Sequence, residues 1–207
     1  MTAPSAVVFD LGKVLVDFDY EISSRKFAAR SRLTPAQIRQ LIDHSPLLYR
    51  FETGLLTNEE FYGEVCAQCG FSGSMEDFSA IFADIFCEIK PMIAMHAALR
   101  AKGVPVYIFS NTNDIAVEHI RAKFPFFSHF DGYTLSFKEG VMKPAPKIYE
   151  AVEHLTGHKG KALVYLDDRA DNIATARERG WHALLHETPE KTIAALRQLG
   201  LPLPLNL

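Results

Sequence analysis

Between residues 88 and 185 short apolar runs and stretches of helical periodicity follow one another in turn. The runs at 104–110, 133–136, 162–166 and 181–185 read as strands, and the intervening segments 91–102, 114–124, 145–156 and 171–179 carry apolar residues at helical spacing. One more run, Val7-Val8-Phe9, lies near the start and stops at Asp10, where a glycine turn replaces further strand. Such alternation predicts an α/β fold, a Rossmann-like doubly wound parallel sheet with helices on both faces. In open sheets of this kind ligands bind beyond the carboxyl ends of the strands. The layout therefore directs Asp10, Ser110, Lys143 and the Asp167-Asp168 pair to one edge of one sheet.

The stretch from Asp19 to about Phe86 shows helical spacing only. Its helix starts are marked by Thr34-Pro35, by Thr57-Asn58-Glu59-Glu60 and by Ser74-Met75-Glu76-Asp77, each a hydroxyl cap before proline or acidic residues. This predicts an all-helical cap domain over 17–87, inserted into a core domain made of 1–16 and 88–207. Phe124–Phe127 read as core packing at a helix end, while Phe18, Tyr49 and Phe51 suit either a pocket lining or the cap's own core. The prolines at 202 and 204 predict an extended tail.

With 48% hydrophobic residues the chain can bury a substantial core. Its formal charge of −3 provides no broad basic field, so no nucleic-acid partner is expected and any anion binding must be local. No apolar stretch approaches the roughly 20 residues of a membrane span, and no cationic leader is evident, so a cytoplasmic protein without a membrane partner is expected. The three cysteines are an odd number, and Cys66 and Cys69 alone supply too few ligands for structural zinc, which leaves buried or half-buried free thiols.

Four segments, Phe9-Asp10-Leu11-Gly12-Lys13-Val14-Leu15, Phe109-Ser110-Asn111-Thr112, Met142-Lys143-Pro144-Ala145-Pro146-Lys147 and Leu166-Asp167-Asp168-Arg169-Ala170-Asp171-Asn172, resemble the signature motifs of the haloacid dehalogenase-like hydrolases, in the same order. The position of the helical insertion is similar to subfamily I. Gly12 and the segment Phe51-Glu52-Thr53-Gly54 resemble the sugar-phosphate phosphatases of that group, typified by α-D-glucose-1-phosphate phosphatase. The resemblance implies a Mg²⁺-dependent phosphatase of a small phosphorylated metabolite, with Asp10 as the nucleophile that becomes an aspartyl-phosphate. It further implies metal ligation by Asp10, the Gly12 carbonyl and Asp168, with Asp167 and Asn172 holding metal-bound waters. Which of the two adjacent acids ligates stays open at this stage. Ser110, the Asn111 amide and Lys143 would clamp the phosphate, beside a helix start where free backbone donors favour anions. A monomer or weak homodimer is expected.

One position departs from the pattern. Most phosphatases of the family place a second Asp two residues past the nucleophile as general acid and base, and Gly12 has no side chain for either task. Such groups are typically worth about 10²–10⁴ in rate. The expectation is a substrate whose leaving group needs little protonation, such as an anomeric sugar phosphate or an acyl phosphate, or a proton from Lys13, Asp17 or Asp114. Two other readings are a 2-haloacid dehalogenase, disfavoured because Asp167-Asp168 would then crowd an anionic substrate without a balancing metal, and a non-catalytic phosphate-binding module of the same fold.

Overall fold

The computed structural model describes residues 3–43 and 45–205. Five strands, β1 (Ala6–Phe9), β4 (Val106–Ser110), β5 (Gly132–Leu135), β6 (Leu163–Asp167) and β7 (His182–Leu185), form one sheet in the order β5-β4-β1-β6-β7. All neighbours are parallel; Val7 pairs with Val106 on one side and with Val164 on the other. Strand side chains alternate between faces, and the alternation sorts the core. Val7, Phe9, Val106, Ile108, Val164 and Leu166 share one apolar cluster, while Ala6, Val8, Phe109, Leu163 and Tyr165 share another. The first face is covered by α6 (Lys90–Ala101), α7 (Asp114–Lys123) and α11 (Pro189–Gln198) through Met92, Met95, Leu99, Ile120 and Leu196. The second is covered by α9 (Pro146–Thr156) and α10 (Ala170–Glu178) through Ile148, Tyr149, Val152 and Ile173. The doubly wound parallel sheet matches the sequence reading, with boundaries moved by one or two residues. Phe124, Phe126 and Phe127 join the first cluster, as expected.

Among the described residues five helices lie between β1 and α6: α1 (Tyr20–Ala28), α2 (Pro35–Ile42), α3 (Pro46–Glu52), α4 (Asn58–Cys69) and α5 (Met75–Ala83). Capping boxes at Thr34, Thr57 and Ser74 start three of them at the positions the sequence marked. The helices close over a cluster of their own that is rich in phenylalanine, with Phe51 stacked on Phe61 at 4.1 Å between ring centroids. Phe51 thus belongs to this core, Tyr49 is exposed, and Phe18 faces a cavity described below. The three cysteines are free thiols; Cys87 is exposed.

Three features hold the helical block against the sheet. A two-stranded antiparallel ribbon, β2 (Val16–Phe18) with β3 (Phe86–Glu88), forms both of its connections, an element the sequence reading lacked. The block also docks on α7, whose Ile115 is buried in the phenylalanine cluster. Asp84, just past α5, bridges Lys26 at 2.8 Å and Lys123 of α7 at 2.7 Å. Gly54 seals a third contact, with its backbone left-handed at φ +69° and so close to α8 (Ser136–Glu139) that a Cβ would stand 2.2 Å from the Phe137 carbonyl oxygen. Among the described residues no helix is long and apolar enough to cross a membrane.

Candidate active site

Asp10 follows the central strand β1, flanked by Ser110 at the end of β4 and Asp167 at the end of β6, so three strand ends meet at one edge of the sheet. The Leu11 N–H donates to Asp10 Oδ1 at 2.7 Å and fixes that carboxylate at the start of the turn. Lys143 arrives from the loop ahead of α9. Its ammonium is buried, 3.0 Å from Asp10 Oδ1 and 2.7 Å from Asp167 Oδ2, and it donates to the Phe109 carbonyl at 3.0 Å. A buried ammonium with three oxygen partners is fully satisfied and keeps its proton. Burial alone would lower the Lys143 pKa, but the charges of Asp10 and Asp167 outweigh it and raise it.

The two acids respond differently to that single cation. Burial opposes ionisation of Asp167, yet Lys143 together with hydrogen bonds from the Tyr165 hydroxyl and the Arg169 N–H holds its carboxyl below the usual range. Asn172 donates to both Asp167 oxygens at 3.0 Å. Asp10 is pushed up to about 8, chiefly by burial, with Lys143 lowering it and the neighbouring Asp167 and Asp168 charges raising it. The ammonium therefore serves Asp167 first. Asp168 is exposed at the mouth of the site, its carboxyl raised by partial desolvation and by the Asp167 charge.

Asp10, Asp167 and Asp168 each bring a carboxylate oxygen to within 4.8 Å of the others. Three carboxylates against one ammonium leave two negative charges when all are ionised. The donors are all hard oxygens, with no His or Cys in the group, which suits a small divalent cation such as Mg²⁺. The Asp167 oxygens are already engaged by four protein groups, whereas Asp10 and Asp168 face the cavity.

The other expected residues are placed as follows. Ser110 is buried, its hydroxyl directed to the Asn111 carbonyl at 3.3 Å. The Asn111 side chain donates to the Lys143 carbonyl at 3.0 Å and accepts from the Lys143 N–H at 2.8 Å, which ties the loop after β4 to the loop that carries the lysine. Asn113 caps α7 by accepting from the Ala116 N–H at 3.0 Å, just beyond this loop. Tyr165 was not anticipated. It stands two residues before Asp167 in the same strand, on the same face, a relation that strand periodicity makes readable. Apart from Phe18, the cap's share of the site was also unanticipated. A cavity of about 730 Å³ opens over Asp10 and Asp168 and is roofed by Phe18, Tyr20, Arg39, Asp43, Leu48 and Glu52.

Residues 4–180 match the family of haloacid dehalogenase-like hydrolases. The chain belongs to this family. As a hydrolase of that group it is similar to a sesquiterpene phosphatase of Aspergillus oryzae, 26% identical over 96% of this chain and 97% of the other. It is also similar to a D-ribitol-5-phosphate phosphatase of Bacteroides thetaiotaomicron, 26% identical over 87% of this chain and 91% of the relative. Among solved structures, a family enzyme from Bacteroides thetaiotaomicron in complex with magnesium and inorganic phosphate superposes with a TM-score of 0.79, at 25% identity over 89% of this chain and 94% of that one. These matches place the five-stranded sheet within the haloacid dehalogenase-like architecture.

Proposed function

We propose that this hydrolase is a Mg²⁺-dependent phosphatase acting on a small phosphorylated metabolite, a sugar or polyol phosphate, by way of an aspartyl-phosphate on Asp10. The observation that carries the reading is the position of the Asp10 carboxylate at the end of the central strand, 3.0 Å from a buried lysine and within 4.8 Å of two further acids. A carboxylate approaching a phosphate dianion at 4 Å meets a repulsion of about 4 kcal/mol per charge pair at an effective dielectric near 20. Lys143 is fixed to offset part of it, and Asp10, the Gly12 carbonyl and Asp168 would hold Mg²⁺ there. When bound, that ion supplies further charge neutralisation and polarises the phosphoryl oxygens. Asp167, bonded on both oxygens, positions Lys143 and Asn172 and does not ligate.

The chain's own groups divide the remaining work. Asp10 attacks phosphorus in line with the leaving oxygen; Ser110, the Asn111 amide and Lys143 receive the three peripheral oxygens beside the start of α7. The cap, residues 17–87, closes the cavity from above and excludes water. Its polar and charged lining supports a hydroxyl-bearing leaving group over a terpenoid one, since Leu48 and Phe18 are joined there by Tyr20, Arg39, Asp43 and Glu52. The magnesium complex of the similar Bacteroides enzyme supports the choice of metal. The test is phosphate release from a panel of sugar, polyol, aryl and terpenyl phosphates, with and without Mg²⁺. Release that needs Mg²⁺ and is abolished in Asp10→Asn is the expected result; metal-independent release, or release that survives Asp10→Asn, overturns the reading.

A further inference from the structure

We propose that Glu52, the last residue of α3 in the cap, delivers the proton to the leaving oxygen that no side chain at position 12 can supply. The proposal rests on the phosphatase reading above. Gly12 leaves room for the Phe18 ring, which would have to shift to admit a side chain, since a Cβ there would stand 2.9 Å from its Cε1. The donors that sequence reasoning offered instead are engaged elsewhere. Asp17 is paired with Lys13, whose hydrogen bond holds the Asp17 carboxyl below its ordinary range and so ionised at neutral pH. Asp114 accepts from Asn58 at 3.2 Å and does not line the cavity.

Two other acids of the roof are also committed. Asp19 caps α1 by accepting from the Glu21 N–H at 2.8 Å, and Asp43 takes Arg39 Nε at 3.1 Å. Glu52 differs from all of these: it lines the same cavity as Asp10, and among the described residues no group donates a hydrogen bond or an ion pair to its carboxyl. Burial, and secondarily the charge of Asp43, push that carboxyl up to about 7, so that acid and carboxylate forms are both present near neutral pH and the group can give and take a proton. Its place is fixed relative to the core. Gly54, two residues on, is wedged against the Phe137 carbonyl of α8, so the end of α3 cannot swing without breaking that contact.

The step balances as follows. As an Asp10 oxygen bonds to phosphorus, the ester P–O bond breaks, its electron pair stays on the leaving oxygen, and that oxygen takes the Glu52 proton and departs as an alcohol. Glu52, now a carboxylate, accepts a proton from the water whose oxygen attacks the aspartyl-phosphate. The P–Oδ bond breaks, and inorganic phosphate, the Asp10 carboxylate and protonated Glu52 result.

The experiment compares the parent with Glu52→Gln and Glu52→Asp, in single-turnover measurements of phosphoenzyme formation with Mg²⁺. The substrates are a polyol phosphate, whose alkoxide leaves poorly, and acetyl phosphate, whose leaving group needs no proton. Glu52→Gln should slow transfer from the polyol phosphate by about 10²–10⁴-fold and transfer from acetyl phosphate far less. The phosphoenzyme formed from acetyl phosphate should then accumulate, and Glu52→Asp should regain part of the loss. Equal slowing with both substrates, or none with the polyol phosphate, would overturn the proposal. Thermal unfolding of each variant separates a folding defect from either result. A parent protein that transfers phosphate from neither substrate would instead overturn the phosphatase reading, and this proposal with it.

Discussion

Replacing Lys143 by Met tests how the charges of the site are balanced. The ammonium is buried between Asp10 at 3.0 Å and Asp167 at 2.7 Å, and Met retains most of its length without its charge. Removing one partner of a buried ion pair costs about 3–5 kcal/mol, because the other charge is left without compensation. At 2–4 °C per kcal/mol for a chain of this size, the melting temperature should fall by roughly 6–20 °C without added divalent cation. The orphaned charge is chiefly that of Asp167, whose oxygen lies nearest the ammonium and whose carboxyl the lysine holds below its usual range, whereas burial raises that of Asp10. The double variant Lys143→Met with Asp167→Asn should therefore be more stable than the single one. The pH dependence has a definite sign. Losing the ammonium raises the native Asp167 carboxyl, and a raised carboxyl makes stability fall as pH rises through its range, so the deficit against the parent should be larger at pH 7.5 than near the ordinary carboxylate value. Thermal unfolding followed by circular dichroism at both pH values reads the whole pattern. A double variant no more stable than Lys143→Met, or a deficit that shrinks with rising pH, would refute the account.

Gly54→Ala should cost stability by about 1–3 kcal/mol or more and loosen the cap, because it adds a carbon 2.2 Å from the Phe137 oxygen at a φ of +69°; limited proteolysis within 20–83 should quicken. Glu153→Gln should destabilise at neutral pH by about 1.5–3 kcal/mol, since the carboxylate accepts from Arg179 at 2.7 and 3.0 Å and from Trp181 at 3.0 Å. Burial opposes ionisation of Glu153, but those hydrogen bonds lower its carboxyl, so the parent's advantage should vanish as pH falls through that range; urea unfolding at pH 7 and pH 3 measures the difference. Lys123→Ala, which removes one exposed partner of Asp84, should cost no more than about 1 kcal/mol in the same assay. Substituting Ala for Asp168 should weaken Mg²⁺ binding, read by calorimetry, while leaving the fold intact.

The three central strands, β4, β1 and β6, were legible because they lie almost wholly buried and read as apolar runs that stop at Ser110, Asp10 and Asp167. Asp10, Ser110 and Asp167 were placed by that rule alone. Three helices of the cap were legible in Thr34, Thr57 and Ser74, whose capping boxes are local chemistry. What the sequence concealed depends on contacts between distant segments. The β2–β3 ribbon joins Val16–Phe18 to Phe86–Glu88, two runs of three residues too short for periodicity to mark. The helix Pro189–Gln198 went unread despite Thr188 and Pro189 at its start, because the alternating pattern appeared complete with β7. The roof of the cavity was hidden for the same reason as the ribbon: Tyr20, Arg39, Asp43 and Glu52 converge only when separate helices pack.

Ile115 gives the cap a latch instead of a free hinge. It lies one residue inside α7, the helix that follows Ser110 at the end of β4 and Asn111 in the connecting loop, yet its side chain is buried among the phenylalanines of the cap. Lifting the cap must either pull that side chain into water or drag the front of α7 along. The proposed phosphate clamp and the closure of the roof are thus fastened to a single helix end.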